Sequence, residues 1–288
     1  MVETIDAPAY DPRVTPARGD IAALDLRGTV EADAYVSGEP MVAAVAAAPI
    51  TAAPHGEAEM TSQLLFGEPF TAYEVENGWA WGQCGLDGYV GYVPAHDLMS
   101  KPKRKPTHRV SALQAIIYPT PDLKARPIGA VPFGSWVIVK AEEGAFAALD
   151  PGGFAPLASL KPTDEPELLW VAAAERLKGA PYLWGGRSSA GLDCSGLVQA
   201  ALHAAGVECP RDSDQQMATL GRKVASKTLK RGDLVFWKGH VGIMTSSVML
   251  LHANAHHMAV TEEPFETARA RIAEVEFGEV LEARRLTP

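Results

Sequence analysis

The sequence predicts an α+β domain over residues 163–288, preceded by two small all-β barrels over 41–100 and 107–161 and by an arm over 1–40. Three observations predict it. Short runs of β-branched and aromatic residues, punctuated by Gly, Asn and Asp, follow one another from Met41 to Pro94, which suits a small barrel better than a sandwich. Their order then recurs downstream. Beyond Lys161-Pro162, apolar residues first recur at helical spacing and then alternate, the pattern of a helix followed by an antiparallel sheet. Length alone, at about 150 residues per domain, predicts roughly two domains; the repeat divides the chain further.

The arm is polar, with scattered Pro and Gly and only short apolar clusters. In the first barrel, Met41–Val45 is read as a strand, followed by a Pro-containing loop and by strands around Leu64–Phe66, Phe70–Tyr73, Trp79–Trp81 and Gly88–Pro94. The series Phe66-Gly67-Glu68, Val75-Glu76-Asn77-Gly78-Trp79, Gly88–Pro94 and Leu98 returns as Phe133-Gly134-Ser135, Ala141-Glu142-Glu143-Gly144-Ala145, Gly152–Pro156 and Leu160. The basic, Pro-flanked stretch Lys101–Pro106 joins the two copies. Asp164-Glu165-Pro166-Glu167 then reads as an N-cap, a first-turn proline and a capping carboxylate. The helix it would start carries Leu168, Leu169, Val171, Ala172 and Leu177, and Gly179 stops it. A second helix is expected from Cys194 to Ala205, ended by Gly206. Strands are expected at Leu234–Trp237, Val241–Thr245, Val248–Ala253, Met258–Thr261 and Val280–Leu286.

Composition excludes several functions. The chain is 47% hydrophobic, enough to bury a core, and carries a formal charge of −9. Residues 163–288 hold 14 basic and 16 acidic side chains, so the first 162 hold the remaining 12 and 19, a net of −7. Such a surface repels phosphate backbones, so nucleic acid and anionic lipid are not expected partners. No stretch of about eighteen apolar residues offers a membrane span. Met1–Asp6 has neither the basic nor the apolar region of a signal peptide. Three scattered cysteines, Cys84, Cys194 and Cys209, make no disulfide framework. Together these point to the cytoplasm, or to the periplasm or exterior if translation starts elsewhere.

One cysteine differs from the others. Cys194 follows the turn Ser188–Gly191 and opens an apolar helix with Asp193 placed as its cap. There it faces unpaired backbone N–H groups and the positive end of the helix dipole, which favour thiolate and are expected to lower its pKa. The same N–H groups suit a developing oxyanion. A nucleophile needs a base, and Thr245-Ser246-Ser247 reads as a hairpin turn between the strands Val241–Thr245 and Val248–Ala253, with His240 just before the first and His252 in the second. A turn centred on Ser246 sets residues summing to 492 opposite one another. His240 and His252 would then share a face with Cβ atoms roughly 5 Å apart.

Five blocks now stand in order: Tyr182-Leu183-Trp184-Gly185-Gly186, Leu192–Val198, Pro210-Arg211-Asp212-Ser213, Arg231–Phe236 and His240-Val241-Gly242-Ile243. They resemble the NlpC-type cysteine peptidases, cell-wall hydrolases with a compact papain-like fold. The two β modules resemble bacterial SH3-like barrels, the second more loosely. The combination resembles the subgroup that cleaves murein peptides between γ-D-glutamate and a diamino acid. The resemblance implies Cys194 as nucleophile, His240 as general base, His252 as its orienting partner and Tyr182 as a contributor to oxyanion binding. It implies Asp193, Ser195 and Ser213 in substrate binding, with Asp193 and Ser213 holding the free N-terminal amine of an L-Ala-γ-D-Glu-diamino acid peptide. From the barrel that walls off the amine end, Glu59 and Tyr89 are the candidates. No cofactor or metal is implied.

Three other readings compete. His252, His256 and His257, with His240 and either Cys194 or Asp233, form a possible zinc-ligand set, though no H-E-x-x-H helix or Cys-x-x-Cys pair accompanies them. A non-catalytic wall-binding protein would use the barrels and leave the third domain as scaffold. An amidase or acyltransferase would keep the nucleophile and change the reaction.

Overall fold

The computed structural model describes residues 10–286, so the reading of Met1–Asp6 lies outside the described residues. Within the arm, Ile21–Ala23 pairs in parallel with Ala34–Val36 over a small cluster of Ala17, Ala22 and Val30. The arm is stitched to the first barrel: Val90 N–H donates to the Arg13 carbonyl at 2.7 Å, and the Arg18 guanidinium lies 4.5 Å over the Trp81 ring.

The first barrel is a seven-stranded sheet in the order Met60–Leu65, Ala47–Thr51, Val90–Pro94, Trp79–Cys84, Pro69–Glu76, Glu39–Ala43, Leu98–Ser100. Ile50, Leu64, Phe70, Val93 and Leu98 fill it. The expected Pro-containing loop is in fact the strand Ala47–Thr51, with Pro49 in its middle. A strand tolerates proline where no ladder needs the missing N–H. This one meets Val90–Pro94 only at Thr51 opposite Tyr92, so Pro49 interrupts nothing there.

A second all-β unit follows the linker. Its five-stranded sheet runs Phe154–Pro156, Phe146–Asp150, Trp136–Glu143, His108–Val110, Leu160–Pro162, with the hairpin Gln114–Ile117/Gly129–Pro132 beside it. Its construction repeats that of the first. Pro69–Glu76 carries a bulge between Ala72 and Glu74, and Trp136–Glu143 carries one between Val139 and Ala141, each at the same offset from the strand start. Each long strand turns back through a tight hairpin, at Asn77-Gly78 and at Gly144-Ala145, with positive φ at Asn77, Gly78 and Gly144. Each unit ends in a short 3-10 turn, Ala95–Asp97 or Leu157–Ser159, and a last strand.

The third unit packs the helix Cys194–Ala204 on a six-stranded antiparallel sheet. Its order is Arg222–Val224, Glu282–Arg285, Asp233–Trp237, His240–Met244, Met249–Asn254, Ala259–Pro264. Leu197, Val198, Ala201 and Leu202 of the helix meet Leu234, Phe236, Val241, Ile243 and Leu251 of the sheet. The first helix differs from expectation. It spans only Trp170–Arg176, and Leu168 and Leu169 are exposed. The would-be capping segment is drawn off by tertiary bonds: Glu167 N–H donates to the Ala204 carbonyl at 2.8 Å, and Arg109 donates to the Glu165 carbonyl at 2.7 Å. Two helices were not foreseen, Ser213–Thr219 and Phe265–Val275. The latter lays Phe265, Ala268 and Ile272 on the sheet's other face. Among the described residues no helix is long and apolar enough to cross a membrane.

Buried polar contacts join this unit to the first barrel. Arg187 donates to the Glu68 carboxylate at 2.8 Å and to the Gln63 carbonyl at 2.7 Å, and both charged side chains are only 3% exposed. Arg211 Nε reaches Ser62 Oγ at 2.9 Å. A barrel held at a buried ion pair is fixed in orientation, because moving it would strand the charges.

Candidate active site

Cys194 is the first residue of its helix, as its spacing from Asp193 predicts. The Asp193 carboxylate caps the helix by accepting from Gly196 N–H at 2.7 Å. Gly186 and Gly196 are required here: a Cβ on Gly196 would stand 2.1 Å from the Gly186 carbonyl. The thiol lies against the backbone on both sides of His240, with Sγ 4.0 Å from the Gly239 carbonyl and under the influence of the Val241 amide.

The hairpin brings His240 and His252 together, by a route other than the expected one. Ile243 pairs with Leu251 and Met244 with Leu250, a register summing to 494. His252 is therefore diagonal to His240, not opposite. A shift of two residues keeps both on one face, whereas a shift of one would have parted them. The rings stand 5.1 Å apart, with Nε2 of His240 2.8 Å from Nδ1 of His252. Nδ1 is then the His240 nitrogen that remains for the thiol. Phe277 stacks on His240 at 5.1 Å and 7°, fixing the ring plane.

Beyond His252 lie two residues that sequence reasoning missed. His252 Nε2 meets Glu263 Oε1 at 2.8 Å, and Arg271 donates to both Glu263 oxygens at 2.8 Å. Thr261 is opposite His252, so Glu263, two residues on, shares its face. The expected end of this strand at Thr261 left Glu263 out of view.

Electrostatics correct one expectation. Burial pushes the Cys194 thiol up to about 12, with the Asp193 charge adding to it; the Val241 and Ser195 amides act the other way and are outweighed. Burial likewise lowers His240 well below the ordinary imidazole range. Burial thus favours the neutral forms of both the thiol and the imidazole over a charged pair. Tyr182 is half-buried and packs on the cluster that contains Cys194. Burial, then the proximity of Cys194 and Asp193, raises its hydroxyl to about 12, which keeps it a hydrogen-bond donor.

A cleft of about 280 Å³ opens from the thiol toward the first barrel. It collects Cys194, Asp193, Ser195 and Ser213 from the third unit with Glu59 and Tyr89 from the barrel. Sequence reasoning missed Arg13, Trp184, Asp212 and Asp214 on its walls. Trp184 Nε1 donates to Glu59 at 2.9 Å across the mouth. Arg13, on the arm, bonds Asp212 at 2.9 Å and Asp214 at 2.9 Å; Tyr89 Oη reaches Asp212 at 3.4 Å. No spacing rule connects an arm residue to a helix 199 positions away.

The expectation that Asp193 holds a substrate amine needs correction for its side chain. Its two oxygens already accept from Gly185 N–H, Gly196 N–H, Ser195 Oγ and two Arg211 nitrogens. The carboxylate caps the helix and neutralises a buried arginine, leaving Ser213, Tyr89, Glu59 and Asp212 as the polar groups around an amine. The zinc set does not assemble. His252 bonds through both nitrogens, Asp233 pairs with Arg285, and no group of three or more His, Cys, Asp or Glu among the described residues could hold a metal ion.

A thiol at a helix N-terminus, set against the backbone flanking His240 on an antiparallel sheet that pairs His240 with His252, makes a cysteine–histidine site on a papain-like fold. Residues 179–273 match the NlpC/P60 family and residues 50–98 match the bacterial dipeptidyl-peptidase SH3 domain. The chain thus carries an NlpC/P60 domain behind a bacterial dipeptidyl-peptidase SH3 domain. It is similar to "Dipeptidyl-peptidase 6" of Lysinibacillus sphaericus, 25% identical over 70% of this chain and 83% of that protein. It also resembles "Gamma-D-glutamyl-L-lysine dipeptidyl-peptidase" of Bacillus subtilis (strain 168), at 41% over 26% and 28% of the two chains. A "Probable endopeptidase" of Mycobacterium tuberculosis is 36% identical over 40% of this chain, and the match spans only 28% of that relative's length. The crystal structure of an NlpC/P60 family protein from Bacillus cereus ATCC 10987 shares the fold, with a TM-score of 0.74 at 20% identity over 87% of this chain and all of that one.

Proposed function

We propose that this protein is a cysteine peptidase that hydrolyses the γ-D-glutamyl–diamino acid bond of murein peptides bearing a free N-terminal L-Ala. The observation that carries the reading is the cleft, which has the thiol at one end and an acidic, barrel-walled pocket at the other. Apart from Asp193, which Arg211 neutralises, three carboxylates line it, Glu59, Asp212 and Asp214, against the one guanidinium of Arg13. An excess of carboxylates favours a cationic amine, and about 280 Å³ is at the small end of ligand pockets (about 300–1,000 Å³). A pocket closed at its amine end measures from the peptide terminus, so cleavage falls at a fixed distance from it. The second β unit is taken as a second SH3-like copy, supported by the shared bulge, hairpin and 3-10 turn.

The chemistry follows from the two neutral partners. The Cys194 S–H proton passes to His240 Nδ1 as sulfur attacks the γ-glutamyl carbonyl. The oxyanion is met by the amide at the helix start and by the Tyr182 hydroxyl. His240 returns the proton to the departing amine, leaving a thioester on Cys194, and water activated by His240 releases the dipeptide. Incubation with L-Ala-γ-D-Glu-diaminopimelate should release L-Ala-D-Glu, and Cys194→Ala should abolish release. Turnover that persists in Cys194→Ala, or none in the wild type, would refute the reading.

A further inference from the structure

The buried chain His240–His252–Glu263–Arg271 extends past the residues that the chemistry above requires. We propose that Glu263 is a positioning residue that sets the tautomer of both histidines and so decides which His240 nitrogen can accept the thiol proton; the inference rests on the peptidase reading.

Two Arg271 nitrogens and His252 Nε2 surround the Glu263 carboxylate at 2.8 Å each. Although burial pushes the other way, hydrogen bonds from Arg271 and His252 hold its pKa well below the usual carboxylate range. An ionised carboxylate only accepts, so His252 Nε2 must carry the hydrogen. Burial lowers His252 below the ordinary imidazole range, so it is neutral and its Nδ1 is an acceptor. His240 Nε2, 2.8 Å away, must then donate. In a neutral His240 this leaves the lone pair on Nδ1, the side away from His252.

Without the carboxylate, nothing on the chain prefers this direction. A neutral His252 could as well carry hydrogen on Nδ1, which would force His240 to accept at Nε2 and present Nδ1–H to a protonated thiol. That arrangement has two donors and no base. In each half of the turnover one proton moves through His240 Nδ1: from sulfur to the leaving amine in acylation, and from water back to sulfur in deacylation. The hydrogens on His240 Nε2 and His252 Nε2 stay where they are, and Glu263 stays ionised. Arg271 keeps it so and is itself bonded to Glu276 at 3.0 Å.

The test is histidine ¹⁵N NMR on the full wild-type chain, which needs no substrate, together with turnover of two variants. In the wild type, His240 and His252 should both show protonated Nε2 and unprotonated Nδ1. Glu263→Leu should populate Nδ1–H on His252 and lower kcat about 100-fold, a smaller loss than the roughly 10⁴-fold seen when the orienting acid next to a catalytic histidine is neutralised. Glu263→Gln keeps an accepting oxygen and should restore most of that rate. Nδ1–H on either histidine in the wild type overturns the proposal, whether or not the variants fold. So does a folded Glu263→Leu with wild-type tautomers and kcat. The wild-type tautomers found in a protein that cleaves no murein peptide would leave this arrangement standing and defeat the peptidase reading instead.

Discussion

Asp193 shows how one residue can be placed correctly and its task misjudged. Its position before an apolar helix identifies a cap, and the cap forms. Its main charge partner is Arg211, eighteen residues on and 1% exposed, and no local pattern announces that pair. Asp193→Ala should therefore cost more than a lost cap. It strands a buried guanidinium, and urea unfolding should show a loss of about 3–5 kcal/mol, against about 1 kcal/mol for a cap alone. Cys194, His240 and His252 were legible because each lies at an element boundary or at a defined strand position. Glu263, Arg13 and Asp212 were not, because the contacts that give them a role are made across elements.

At the scale of elements, periodicity predicted more than register did. The strands around His240 and His252 were expected within a residue or two of their bounds, and the face they share depends only on parity. The turn centre was misplaced by one residue, which shifted the pairing sum by two and left the outcome unharmed. The Trp184-Gly185-Gly186 turn shows the converse, a motif in which Gly185 answers to another domain while Gly186 answers to Gly191 and Leu183 of its own. Gly185 has φ +74°, and a Cβ there would stand 2.6 Å from the Met60 carbonyl on the first barrel. Gly185→Ala should cost at least about 1–2 kcal/mol from backbone strain alone. It should also push the barrel strand from the loop and raise KM more than it lowers kcat, since Trp184 and Glu59 flank the cleft mouth. An unchanged KM would show that the barrel does not shape the pocket.

For the whole molecule, burial of histidine sets the response to acid. Burial lowers the pKa of His203 to about 4 and also lowers those of His240 and His252. Each is neutral when folded, while in the unfolded chain each takes a proton below about 6.5. The unfolded state then binds more protons, so this stability is complete above about pH 6.5 and is lost as the pH falls toward the folded pKa values. The melting temperature should therefore drop between pH 7 and pH 5, a window in which ordinary carboxylates stay ionised; a flat profile would contradict the burial of these rings. An SH3-like domain ahead of an α+β domain was legible from composition and motif order. How the units join was not, since Arg187–Glu68 and Arg13–Asp212 link positions over a hundred residues apart. Of these joints, Arg13–Asp212 stands on the wall of the cleft on which the proposed function rests. The most direct measurement is kcat/KM for L-Ala-γ-D-Glu-diaminopimelate beside the same peptide N-acetylated on alanine. Cleavage of the free-amine peptide with the acetylated one at least about 100-fold slower, roughly the loss of one charged hydrogen-bonded contact, is the predicted result. Equal rates for the two would contradict a pocket that reads the amine.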